Sequence, residues 1–279
     1  MINIQNMHFS YSKRKDLFDK MNLQLTEGKI YGLLGKNGTG KSSLLKLIIG
    51  VLFPKQGKIS IEQYDSIDRN PDLLQNIFFL SEDYEMPSIP ITDYVKANAP
   101  LYDKFDHAKF DELLRIFEVD SSSVLSKLSY GQKKKVLISF GIATNAKYLF
   151  MDEPTNGLDI PSKSQFRKVL LSGFREDQIV IISTHQIRDL NQLIESVIII
   201  EDGKIILNQD VSALEEKLTF HKALSETHTS DTLYSELMPG GYVHVTPNSD
   251  GSISEVELEV LFNAVIKDSN SINQLLQNN

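Results

Sequence analysis

GLLGKNGTGKSSLLKLIIG, residues 32–50, carries the spacing Gly35-x-x-x-x-Gly40-Lys41-Ser42, which fits a phosphate-binding loop opening onto an apolar helix. Such a loop folds tightly around phosphates with its amide N–H groups turned inward, and several of its positions leave no room for a Cβ. The positions expected to hold a nucleoside triphosphate are Gly35, Asn37, Gly38, Thr39, Gly40, Lys41, Ser42 and Ser43. Lys41 would bridge the β- and γ-phosphates, Ser42 would ligate Mg²⁺, and the helix that starts there would turn its positive dipole end toward the anion. The flanks agree: KIYGLL before the loop reads as a short buried strand, and SSLLKLII after it as a helix ended by Gly50 and Pro54.

The rest of the composition narrows the setting. The chain has 279 residues, of which 41% are hydrophobic, enough for one large domain with an appendage or for two modest ones. It has no cysteine, which excludes disulfides and thiolate metal sites. No apolar run has the length of a membrane span, and MINIQNMHFS has neither a basic nor an apolar leader region, so a cytoplasmic protein is expected. A net charge of −8 points away from a nucleic-acid surface.

YLFMDEPTNGLD, residues 148–159, is an apolar run that delivers Asp152 and Glu153 to its carboxyl end. A carboxylate at Asp152 would lie beside the phosphate loop, where a metal contact is needed, and Glu153 is placed to polarise an attacking water. Between these motifs lies KLSYGQKKKV, residues 127–136, in which Ser129 and Gln132 are spaced as a capping box at a helix start. Such a start leaves N–H groups and a positive dipole end available to a γ-phosphate.

Leu128-Ser129-Tyr130-Gly131-Gln132, ending twenty residues before Asp152, resembles the signature of the ATP-binding cassette family, with Tyr-Gly where Gly-Gly is usual. The resemblance implies several further roles. Tyr11 would stack on adenine, Asp159 of the GLD triplet would belong to the loop that meets a second cassette, and His185 in IVIISTHQIRDL would sense the γ-phosphate. Ser129, Gly131 and Gln132 would contact the ATP held by a partner cassette. Ser42, Asp152 and Glu82 form the metal set, although most of the family has glutamine where IFFLSEDYEMP offers Glu82. That acid resembles the branches that work with separately encoded membrane subunits.

The fold expected is α/β: a P-loop ATPase of cassette type, with a mixed sheet core and a helical subdomain over about 83–145, occupying residues 1–210. A small α+β extension follows over 211–279. In KFDELLRIF and its flank, Phe105, Phe110, Leu113, Leu114 and Phe117 recur at helical spacing, as core positions. SVIIIEDGKIILNQ reads as a hairpin turning at Asp202-Gly203. In the tail, Ser212 with Glu215 and Ser254 with Glu257 are spaced as capping boxes, Leu258, Leu261, Phe262 and Val265 form an apolar helix face, and GGYVHVTPNSDGS suggests a strand and turn. The KKK run at 133–135 is expected to be a solvated helix face.

One phosphate loop and one signature make this chain half of a machine. By resemblance it would dimerise with an identical or different cassette and, using ATP and Mg²⁺, drive separately encoded permease subunits at the inner face of the membrane, as in small exporters. The alternative is a soluble non-transport cassette ATPase acting in metal-cluster assembly, translation or repair, and no feature of the sequence speaks for or against the cluster-assembly type. A repair type is disfavoured because no coiled-coil insertion separates Leu45 from Leu128, and a two-cassette ribosomal factor because the chain has a single loop.

Overall fold

A computed structural model describes residues 1–12, 16–225, 231–249, 251 and 254–277. Along the chain β1 (Ile2–Phe9) and β2 (Phe18–Leu25) precede β3 (Lys29–Leu34), and α1 (Lys41–Ile48) follows the phosphate-loop residues. Next come β4 (Gln56–Ile61), β5 (Tyr64–Asp65), α2 (Pro71–Leu74) and β6 (Ile77–Leu80). The crossover from β6 to β7 (Tyr148–Asp152) holds α3 (Ile91–Asn98), α4 (His107–Ile116) and α5 (Tyr130–Ala143). Then follow α6 (Ile160–Gly173), β8 (Ile179–Thr184), β9 (Ser196–Glu201) and β10 (Lys204–Asp210). The remainder comprises α7 (Val211–Lys217), β11 (Leu218–Ala223), β12 (Tyr234–Met238), β13 (Gly241–Pro247), α8 (Leu258–Lys267) and α9 (Ser269–Gln277).

The main sheet runs β10-β9-β3-β8-β7-β6 and is parallel except for β10, which returns antiparallel on β9. Its central strands β3, β8 and β7 are buried along almost their whole length and are mainly apolar, because both faces are covered. In β8, Ile179 and Ile181 face one core with α1 and the strands of the β2-β1-β4-β5 sheet, while Val180 and Ile182 face a second core with the helices. Successive side chains point to opposite faces, so an unbroken apolar run satisfies both. β1 and β2 are buried on one side only, at Ile2, Ile4, Met7 and Phe9 on β1 and at Phe18, Met21, Leu23 and Leu25 on β2, and the alternation slips by one residue where their pairing shifts register.

Phe110, Leu113, Leu114 and Phe117 are buried as their spacing predicts, and Phe105 packs on Phe140 of α5 with ring centroids 4.9 Å apart. The β9–β10 hairpin turns at Asp202-Gly203, both with positive φ (47° and 71°), the backbone a tight two-residue turn needs. A Cβ on Gly203 would sit 1.9 Å from the Leu17 carbonyl oxygen, so this position admits glycine alone.

Both tail capping boxes are corrected by the structure. Asp210, not Ser212, stands at the N-cap of α7, and its carboxylate makes no cap bond because it is paired with the Lys29 ammonium at 2.6 Å. α8 starts at Leu258, beyond Ser254, whose hydroxyl accepts the Phe220 N–H at 2.9 Å. The Leu258 N–H is received instead by the side-chain oxygen of Asn191 at 3.2 Å, a cap supplied by a distant loop. Leu258, Leu261 and Val265 are buried, and Phe262 packs against the same core.

That core is continuous from β3 and β8 through to α8 and α9. Leu261→Ala, at a fully buried position, is expected to cost about 2–5 kcal/mol. Equilibrium urea unfolding followed by far-ultraviolet circular dichroism should show one shared transition at a lower midpoint; a separate early transition for the tail would contradict a common core.

Candidate nucleotide site

Parallel pairing of β3, β8 and β7 ends these strands at one edge, with Leu34 opposite Thr184 and Asp152 opposite Ser183. Each strand then releases a loop at that edge, where ligands bind in open α/β sheets. The loops meet in a cleft of about 520 Å³ lined by Tyr11, Asn37, Gly38, Gly40, Lys41, Ser42, Ser43, Glu82, Glu153 and His185, together with Leu17. Tyr11 and His185, 174 positions apart in sequence, thus line one cleft.

The loop's glycines are required by contact as well as by conformation. Gly40 has φ 103° and a hypothetical Cβ would lie 2.6 Å from the Phe18 ring; Gly35 would meet Thr39 Oγ1 at 2.6 Å. Thr39 lies off the cleft and braces the loop, its hydroxyl donating to the Lys36 carbonyl at 2.9 Å. Lys41 is buried, and its ammonium donates to the carbonyls of Gly35 at 2.8 Å and Lys36 at 3.2 Å. Burial pushes that ammonium below the ordinary lysine value, and the charges of Glu153, Asp152 and Glu82 push back. Tyr11 is 67% exposed, with its hydroxyl 2.8 Å from Ser43 Oγ and its ring edge-on to Phe9.

Glu153 is the most constrained residue of the site. Its φ of 48° is left-handed, a conformation that costs a non-glycine residue about 1–2 kcal/mol. Neighbours hold it there from every side. Its N–H donates to the Ser183 carbonyl at 3.0 Å, and its carbonyl accepts from Lys134 Nζ at 2.8 Å. Its carboxylate takes the His185 N–H at 3.0 Å, lies 2.7 Å from His185 Nδ1 and 3.3 Å from the Thr184 hydroxyl. Asp152 is buried beneath the cleft and accepts a short hydrogen bond from the Ser183 hydroxyl. Glu82 lines the cleft and accepts from Asn156 Nδ2 at 3.1 Å.

Among the described residues no group of three or more His, Cys, Asp or Glu could hold a metal by itself. The oxygens of Ser42, Glu82 and Asp152 nevertheless suit Mg²⁺, a hard cation bound through one or two protein oxygens plus substrate phosphates.

The signature residues stand elsewhere. Ser129 and Gln132 form the expected capping box at the start of α5, with bonds of 3.0 and 3.2 Å, and both are exposed and outside the cleft. Gly131 lies against the Gly157 carbonyl, where a Cβ would come within 2.9 Å. Asp159 is exposed and caps α6 by accepting the Ser162 N–H at 2.9 Å. The cleft therefore gathers Asn37, Gly38, Gly40, Lys41, Ser42 and Ser43 of the phosphate loop with Tyr11, Glu82, Glu153 and His185, but its lining does not include Gly35, Thr39, Asp152, Ser129, Gly131, Gln132 or Asp159.

The lysine run is corrected too. Lys134 is fully buried, and its ammonium sits 5.1 Å from the Tyr130 ring centroid and 6.0 Å from that of Tyr84. Desolvation lowers its proton affinity, partly opposed by Glu82 and Glu153. The signal was present in the sequence, since Lys134 shares a helix stripe with the buried residues Leu137, Ile138 and Gly141 at i+3, i+4 and i+7. The part played by Ser183, Thr184 and Asn156 has no such pattern.

A family model described as "ABC transporter" matches residues 18–156, a span that holds the phosphate loop, signature and Glu153 but not Tyr11, Asp159 or His185. The chain is 28% identical over 228 residues to the lantibiotic transport ATP-binding protein SrtF of Streptococcus pyogenes, covering 77% of this chain and 93% of that one. It is 26% identical over 199 residues to the ABC transporter ATP-binding protein YtrB of Bacillus subtilis (strain 168), covering 71% and 68%. A solved ATP binding subunit of an ABC transporter has the same fold, with TM-score 0.69 at 21% identity over 77% of this chain and 92% of that one.

Gly157→Ala tests the packing of the Asp159 loop on the signature. With φ 78° and a Cβ 2.5 Å from the Tyr130 ring, it is expected to cost about 1–3 kcal/mol. A melting temperature equal to that of the unsubstituted chain would refute this contact.

Proposed function

The chain belongs to the ATP-binding cassette family, and on that premise we propose that it is the ATP-hydrolysing subunit of an exporter, driving separately encoded permease subunits through closure of a cassette dimer. The observation that carries this reading is the division of the motifs: one cleft holds the phosphate loop with Glu153 and His185, while Ser129, Gly131 and Gln132 are outside it. A second cassette would complete the γ-phosphate shell with those residues, and Asp159 would face the same junction. Among the described residues no helix is long and apolar enough to cross a membrane, so the permease would supply the spans and hold the chain at the inner face. Export is the direction assigned because Glu82, and an extension beyond residue 210, resemble cassette subunits of small exporters.

ATP would lie with its adenine on the exposed Tyr11 ring and its β- and γ-phosphates between Lys41 and the loop amides. Mg²⁺, held by Ser42 with Asp152 and Glu82, would neutralise charge on the phosphate oxygens when bound. The Lys41 ammonium already faces the loop carbonyls and would turn to the phosphates without paying for desolvation anew. Glu153 would orient water in line with the γ-phosphate and draw its proton as the phosphorus–oxygen bond to ADP breaks, giving ADP and phosphate. The Glu153 carboxylate is held by Thr184 and by both the backbone and ring of His185. Movement of the His185 ring to the γ-phosphate would free an oxygen for water, so that hydrolysis waits for a filled site.

Glu153→Gln is expected to keep ATP affinity within about twofold and to lower turnover about a hundredfold or more. It should also accumulate an ATP-dependent dimer by size-exclusion chromatography with light scattering; normal phosphate release in this variant would remove the role of Glu153. The transport reading is tested by capturing the tagged chain from its own cells in mild detergent and identifying its partners by mass spectrometry. A polytopic membrane protein is expected, and recovery of ribosomes or soluble assembly factors alone would overturn it.

A further inference from the structure

Lys134 is the buried cation that the hydrolytic scheme leaves unused. It lies in the first turns of α5, five residues after Ser129, and has no exposed surface. Burying an ammonium is costly unless hydrogen bonds and charges offset its lost hydration, and an apolar residue of the same length would suit a helix stripe shared with Leu137 and Ile138. What the ammonium touches is the main chain of Glu153, at a carbonyl 2.8 Å away. That carbonyl belongs to the residue in the left-handed region whose carboxylate meets Thr184 and His185.

The seat of the ammonium joins two more segments. Tyr84 and Tyr130 are stacked with ring centroids 5.6 Å apart and planes at 15°, and Lys134 rests against both rings. The Tyr84 hydroxyl donates to the Tyr130 carbonyl at 3.2 Å, and the Tyr130 hydroxyl donates to the Glu82 carbonyl at 3.2 Å. Asn156, three residues past Glu153, closes the circuit on the Glu82 carboxylate at 3.1 Å. Tyr130 is the residue that departs from the usual Gly-Gly of the signature, and a glycine there would have neither ring nor hydroxyl to offer.

We propose that Lys134 is a positioning residue for hydrolysis: seated on the Tyr84–Tyr130 pair, it pins the Glu153 carbonyl and thereby couples the aim of the Glu153 carboxylate to the signature helix and to the Glu82 loop. A shift of the signature helix toward a partner's nucleotide would be felt at this chain's own Glu153 through one side chain. The inference rests on Glu153 as the carboxylate that acts on water.

The test compares Lys134→Met, which keeps length and apolar volume but loses the donor, with Lys134→Arg, which keeps a donor. Each full-length variant is assayed for ATP affinity by fluorescent-nucleotide titration, for single-turnover phosphate release, and for melting temperature. Lys134→Met should lose about tenfold or more in the hydrolytic rate with ATP affinity within about twofold and no fall in melting temperature, and Lys134→Arg should recover a substantial part of that rate. Tyr84→Leu, which removes one ring from the seat and leaves the lysine itself in place, should show the same split at smaller amplitude and serves if Lys134→Met does not fold. An unchanged hydrolytic rate in Lys134→Met, or in Tyr84→Leu where the methionine variant is unfolded, would overturn the proposal. So would a rate loss matched by lost stability or affinity, or one that arginine leaves uncorrected. Glu153→Gln run in parallel separates the two failures: normal hydrolysis there removes the premise, whereas an inactive Glu153→Gln beside a normal Lys134→Met removes only the role of Lys134.

Discussion

The parallel register of β3, β8 and β7 is the constraint on which the site depends. Opposing Leu34 to Thr184 and Asp152 to Ser183 brings three loop starts to the same level of one sheet edge. The register is firm because both faces of these strands are buried, and a slip by one residue would exchange the side chains of two separate cores. The phosphate loop, Asp152-Glu153 and Thr184-His185 converge for that reason. No direct bond among their side chains would be strong enough to assemble them.

Charge at that edge is arranged as a set. Lys41 and Lys134 are both buried, and for each burial lowers the ammonium's proton affinity while Glu82, Asp152 and Glu153 raise it. The two cations differ in what they hold. Lys41 donates to carbonyls of its own loop, contacts a ligand can replace; Lys134 donates to the Glu153 carbonyl, inside the protein and away from the cleft lining. One lysine thus lines the cleft and the other is turned into the protein, a division that the net charge of the chain conceals.

The C-terminal extension is joined to the edge that carries His185. Asn191 receives the first N–H of α8 and donates to the Val256 carbonyl at 3.4 Å, and Arg188 forms a short ion pair with Glu259. These contacts lie a few residues past His185, on the turn that leaves β8. The extension buries its apolar face in the same core as the signature helix, so its helices contribute to the packing that supports the site.

The local chemistry of this protein is written in its sequence. The phosphate loop, the apolar strand ending in Asp152-Glu153, the Ser129–Gln132 capping box and the Asp202-Gly203 turn each depend on residues within a few positions of one another, so spacing alone reveals them. Spacing alone misplaces the helix starts near Ser212 and Ser254 and puts Lys134 in solvent. In each case the deciding partner came from far along the chain: Lys29 took the Asp210 carboxylate, Asn191 capped α8, and Glu153 with Tyr84 received the lysine. Spacing cannot specify an interaction whose two halves are brought together by sheet register and core packing. The glycine-rich loop between β3 and α1 was therefore legible in the sequence, whereas what surrounds Glu153, and how its carboxylate is held, was decided only by the tertiary structure.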